Sequence, residues 1–175
     1  SVDDLQSAPF LVQEAAETGG CKQIGLVLLD TGWGRANEAT LTTALLARGK
    51  IPSIVIYFPT TVGKTVAGGI AEAVRHSGAD CAILLANAGN GAEIVNALSE
   101  RIPDLQLFSH WGITGGEAFA NRVDSDTRNR MKIRVLQTCG LKREAEGNPV
   151  LQAAIAAAAP EEAASLAALP ASTGF

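Results

Sequence analysis

IGLVLLDTGWGR, residues 24–35, is an unbroken apolar run that stops abruptly at a tryptophan held between two glycines. A strand covered on one face alternates apolar and polar residues; one buried on both faces stays apolar throughout, as this one does. The same pattern returns in IPSIVIYF (51–58), in DCAILLA (80–86) before NAGNG (87–91), and in LQLFS (105–109) before HWGITGG (110–116). Between these runs the period lengthens to that of a helix. Residues 36–48 put Leu41, Ala44 and Leu45 on one stripe and meet Gly49 at the C′ position. Residues 65–77 do so with Val66, Ile70 and Val74 and end at Gly78; residues 91–101 come next with Ile94, Val95 and Leu98. Strand–helix alternation at this spacing predicts right-handed βαβ units in a doubly wound parallel α/β sheet of about five strands. The fifth strand is expected at MKIRVLQT (131–138).

The flanks read differently. Val2–Thr18 is expected to be a helix burying Leu5, Ala8, Leu11, Val12 and Ala15, kinked or restarted at Pro9 and ended by Gly19–Gly20. A short helix is expected over 115–123, a polar linker over 124–130 and an exposed loop over 140–148. The Ala-rich tail 149–169 has high helix propensity, broken at Pro160. Phe175 ends the chain where one more element is due, so the sequence reads as cut rather than finished. Its core would span 22–138.

Composition narrows the function. The 175 residues are 47% hydrophobic and 18% charged, enough for one domain with a real core. A net charge of −4 argues against nucleic acid, since only Arg128, Arg130, Lys132 and Arg134 form a basic run, interleaved with apolar and polar residues. No run approaches the roughly 20 apolar residues of a membrane span. Residues 1–20 are not a signal peptide, which says little of a mature or excised chain. Cys81, inside an apolar strand, reads as a buried small hydrophobe, while Cys21 and Cys139 could pair in an oxidising compartment; spacing alone does not establish that. With two histidines and no C-x-x-C there is no zinc signature, and no metal or cofactor is called for.

In an open parallel sheet, the loops after the strands share the edge where ligands bind. Trp33, Asn87, Asn90, His110 and Trp111 are therefore the candidate ligand-binding residues. Trp33, flanked by Gly32 and Gly34, reads as an aromatic presented on an adaptable loop for stacking. Asn87 and Asn90 offer uncharged donors and acceptors, although Asn90-Gly91 is equally a turn pair. Trp111 either faces the ligand or packs the corner, and His110 either faces the ligand or bonds backbone. His76, in the last turn of its helix, reads as a surface residue.

Catalytic motifs are missing at every place one could stand. Asp30 lacks the second carboxylate of a phosphatase, since Gly32 stands two residues on, and a phosphate-accepting receiver would need an Asp at the end of the third strand, where Asn87 stands; Asp30 reads as a cap for the next loop or helix. VGKT (62–65) has Phe58 where a phosphate loop needs glycine, GWGRAN has Asn37 where a dinucleotide fold needs its third glycine, and no G-x-S-x-G exists. The mouth reads as one for binding, and the chain as a non-enzyme.

The run from KQIGLVLLDTGWGR through DCAILLANAGNG to LFSHWGITGGEAF, continuing into VLQT (135–138) and GNPVLQAA (147–154), resembles the second lobe of type I periplasmic solute-binding proteins, in the Leu/Ile/Val-type receptor branch of ABC transporters. The resemblance covers nearly the whole chain. It implies a Rossmann-like lobe whose N-terminal helix 2–18 and Ala-rich helices 149–169 lead toward a missing first lobe, with a small solute held between the two and delivered to a membrane permease. It also implies a periplasmic or membrane-anchored extracellular location, and weak or no solute affinity for one lobe alone. Trp33 matches the aromatic that the family places over the ligand, and Asn87 falls near another cleft-facing loop position. Trp111 stands where amino-acid receptors often carry an acid that holds the ammonium group. That departure implies a solute other than a simple α-amino acid: an aromatic or aliphatic carboxylate, or an amide. A sensor domain of a regulator and a stand-alone flavodoxin-like protein are the alternatives.

Overall fold

The structure is a computed structural model that describes residues 4–115 and 117–137. Five parallel strands carry the chain: β1 (Ile24–Leu29), β2 (Ile54–Phe58), β3 (Cys81–Leu85), β4 (Gln106–His110) and β5 (Arg134–Leu136). They lie in the order β2-β1-β3-β4-β5. The helices are α1 (Asp4–Gln13), α2 (Gly32–Leu46), α3 (Lys64–His76), α4 (Ala88–Arg101), α5 (Ala118–Arg122) and α6 (Ser125–Arg130). All belong to one unit, Val2–Leu136. The expected doubly wound α/β sheet is what these residues form.

Both faces of the sheet are covered, which is why the central strands need no polar residue. On one face Val27, Ala82, Leu84 and Leu107 pack with Ala67, Ile70, Ala71 and Val74 of α3 and Ile94, Val95 and Leu98 of α4. On the other, Leu26, Leu28, Ile83, Leu85 and Phe108 pack with Leu11 and Val12 of α1 and Leu41 and Leu45 of α2. All five residues of β3 are buried. Removing this much apolar area from water, at about 25 cal/mol per Å², is the dominant favourable contribution to the fold.

Several expected boundaries move. Helix α1 runs through Pro9 and continues as a π-turn, Glu14–Thr18. Val66 of α3 is exposed, and Ala67 and Ala71 fill the stripe instead. The expected polar linker 124–130 contains α6. Asp124 caps it, its carboxylate accepting from Thr127 N at 2.7 Å and from the Thr127 hydroxyl at 3.1 Å. These bonds hold the Asp124 carboxyl below its ordinary pKa. The short helix expected over 115–123 is α5, and a 3₁₀ turn, Trp111–Thr114, precedes it. The loop 140–148, the tail 149–169 and Cys139 lie outside the described residues.

Candidate functional site

Parallel register aligns the carboxyl ends of β1, β3 and β4: Leu28 pairs with Leu85, and Leu84 with Ser109. Just past these pairs a cavity of about 240 Å³ opens, lined by Leu29, Trp33, Ala86, Asn87, His110, Trp111 and Gly112. Sites that bury a drug-sized ligand run about 300–1,000 Å³, so this is a shallow mouth with room for part of a ligand. Four of the five sequence candidates line it. None of the lining residues is an acid, a lysine or an arginine.

Trp33 does not ride on a bare loop. Thr31 caps α2 by accepting from Gly34 N at 3.2 Å, so the helix starts at Gly32 and Trp33 sits in its first turn. Glycine at 34 reflects close approach: a Cβ there would collide with the Leu29 carbonyl oxygen. The buried Asn37 amide donates to the Trp33 carbonyl at 3.0 Å, fixing the turn. The His110 ring packs edge-on against Trp33 at 5.0 Å, and the Trp111 ring lies 4.7 Å from His110. His110 Nδ1 accepts from Gly112 N at 2.7 Å, so the neutral ring carries its proton on Nε2. A Cβ at Gly112 would strike that ring. The two readings of His110 are thus not exclusive: it bonds backbone and lines the mouth.

The asparagines divide. Asn87 lines the cavity and caps α4, accepting from Asn90 N at 3.0 Å, so α4 begins at Ala88 within the expected loop. Asn90 does not line it. Its buried amide donates to Thr60 O at 2.9 Å and accepts from Val62 N at 3.3 Å, tying the β2–α3 loop to α4. An asparagine in an N-G pair reads as a turn former; that its side chain crosses to another loop is a tertiary fact.

Beside the mouth stands a charged rim that no motif announces. Asp30 is no helix cap; its carboxylate takes Arg35 Nη2 at 2.7 Å, and the guanidinium lies 4.5 Å from the Tyr57 ring centre. The Tyr57 hydroxyl donates to Glu38 at 3.4 Å. Partial burial, reinforced by the Glu38 carboxylate, raises the Tyr57 phenol above its ordinary pKa, so it stays neutral.

The opposite edge of the sheet corrects the cysteine reading. Cys81 is bonded to Cys21, joining the approach to β1 with the start of β3. Strands β1 and β3 are neighbours, with Ile24 beside Cys81, which brings the two sulfurs together. Asp80 next door accepts from Lys22 N at 2.9 Å and Gln23 N at 3.0 Å. Cys21, Asp80 and Cys81 have ligand atoms within 4.8 Å of one another, but the sulfurs are joined and have no thiolate to offer a metal. His76, as expected, is on the surface, 3.4 Å from Glu72.

Known structures share this arrangement of strands and helices. The chain superposes on a solute-binding protein of an ABC transporter from R. palustris, solved with 4-hydroxybenzoate, with a TM-score of 0.61, 21% identity, and 70% of this chain on 33% of that one. It superposes on an extracellular ligand-binding receptor from Verminephrobacter eiseniae with a TM-score of 0.70, 16% identity, and 91% of this chain on 44% of that one. The fold is that of one lobe of a type I periplasmic solute-binding protein. A putative branched-chain amino acid ABC transporter from Rhodospirillum rubrum matches this lobe with a TM-score of 0.65, 13% identity, and 77% of this chain on 37% of that one. The lobe thus spans between a third and less than half of these three proteins. No protein-family model and no curated protein matches the sequence.

Proposed function

We propose that this lobe belongs to the solute-binding component of an ABC importer, which holds a small organic solute between two lobes and hands it to a membrane permease. The observation that carries the reading is the mouth itself: Trp33, His110 and Trp111 with Asn87, gathered at the carboxyl ends of three strands. Three flat aromatic rings suit a planar or apolar solute, and one asparagine amide supplies uncharged polar recognition. Trp111 brings no carboxylate to meet an ammonium group, and leaving such a charge desolvated and unpaired is costly. An aromatic or aliphatic carboxylate, or an amide, fits better than an α-amino acid. The R. palustris protein solved in complex with 4-hydroxybenzoate supports that class.

The shallowness of the mouth supports a division of labour in which a first lobe covers the solute. One lobe alone then binds it negligibly. The Cys21–Cys81 bond supports an oxidising compartment, periplasmic or extracellular. No described helix is long and apolar enough to cross a membrane.

The test begins with the native polypeptide. An antibody against this chain is applied to osmotic-shock and cytoplasmic fractions, and the detected protein is titrated with 4-hydroxybenzoate and with leucine. A band of roughly twice this mass in the shock fluid, two domains of ordinary size, that binds the aromatic acid supports the reading. A band of 18.1 kDa in the cytoplasm ends it. Tight leucine binding with no response to aromatic acids ends the assignment of solute class.

A further inference from the structure

We propose that the Asp30–Arg35 pair is a charge filter: the guanidinium cancels the one carboxylate that comes directly after the mouth, and so removes the preference for ammonium compounds that this carboxylate alone would give the site. The inference rests on the solute-binding reading and adds to it the residues that decide the sign of the charge.

The mouth has no formal charge of its own, so its potential is set by its neighbours. Asp30 directly follows the lining residue Leu29, and its side chain is 45% exposed. Alone it would make this edge attractive to cations. It is not alone: Arg35, one turn into α2 and two residues beyond Trp33, reaches back to it at 2.7 Å. An exposed ion pair usually contributes little because two long side chains must be held still. Here the guanidinium is also placed over the Tyr57 ring, so part of that ordering is supplied by a cation–π contact. Tyr57 adds no charge, since its phenol is neutral. The next acid along α2, Glu38, lies a turn further on and is engaged by the Tyr57 and Thr42 hydroxyls. Lys64, exposed at the start of α3 after the β2 loop, adds a positive charge to the same edge of the sheet.

The molecule carries its own reporter of this field. Both tryptophans of the chain, Trp33 and Trp111, line the mouth and both are partly exposed. Iodide and caesium quench tryptophan fluorescence on collision, and their ratio at fixed ionic strength reads the sign of the local potential. In Arg35→Gln the iodide-to-caesium quenching ratio should fall by about twofold, and in Asp30→Asn it should rise by about as much, as expected for one partly screened charge within a Debye length. The double variant Asp30→Asn/Arg35→Gln should return to the wild-type ratio, because it removes both charges; that return separates a charge effect from local damage.

Selectivity is then read on the native-length polypeptide with benzoate and benzylamine. Arg35→Gln should lower the preference for benzoate about three- to tenfold, and Asp30→Asn should raise it. Quenching ratios unmoved in both single variants overturn the filter, as do shifted ratios with an unchanged benzoate-to-benzylamine preference. Failure of the wild-type polypeptide to bind either probe is a different result: it removes the solute-binding reading itself, and the filter with it.

Discussion

The two edges of one sheet are built by opposite means. At the amino edge a disulfide joins β1's approach to β3, and the Asp80 carboxylate takes up the neighbouring backbone N–H groups. At the carboxyl edge the described residues make no covalent link. Helix caps at Thr31 and Asn87, an amide tie from Asn90 and ring contacts around His110 shape an open, formally uncharged mouth. The contrast shows stability invested away from the site, which leaves the binding edge free to meet a ligand and a second surface.

That division can be broken from either side. The largest effect should come from Cys21→Ala/Cys81→Ala, alanine being chosen because both sites are buried. Opening a loop with a sequence separation of 60 should cost about 4 kcal/mol in the chain-entropy account, read as a lower denaturation midpoint. Tryptophan emission under native conditions should not move; if it does, the edges are not independent. Gly34→Ala attacks the other side. Its methyl group meets the Leu29 carbonyl, so about 1–3 kcal/mol should be lost and the tryptophan emission should shift with it. Asn90→Ala leaves the buried Val62 N–H and the Thr60 carbonyl unmet. We expect a loss of about 1–2 kcal/mol and faster amide exchange at residues 60–62, with the disulfide edge unchanged in exchange.

The smallest effect should come from Asp124, on the run leading into β5. A carboxyl whose folded pKa is depressed contributes stability above its unfolded pKa, near 4, and loses it as pH falls through the lower folded value. Asp124→Asn keeps the cap acceptor but removes that dependence. Its acid-unfolding limb below about pH 4 should therefore be shallower than the wild type's, with little change at pH 7.

Much of this was written locally. Four apolar runs and the mixed segment 131–138 became five strands, and the central β3, buried on both faces, had no choice of composition. Trp33, Asn87, His110 and Trp111 were legible as mouth residues because a parallel sheet gathers its post-strand loops on one edge. The features that stayed hidden depended on distant partners. Cys81 looked like any small core residue until the order β2-β1-β3 put Cys21 beside it. Gly32 and Gly34 argued for a loop by propensity, yet close approach to Leu29 and the Thr31 cap made that segment the start of a helix. Asn90 read as a ligand contact or a turn former and proved a tie between α4 and the β2–α3 loop.

The disulfide also changes what a cut in the chain would mean. The covalent ring it closes contains β1, α2, β2 and α3, and includes the exposed Thr60–Thr61 stretch. A protease that nicked this stretch would release nothing: the two pieces would migrate together on a gel until a thiol was added. Integrity judged without reducing agent would therefore miss damage at the rim of the binding edge.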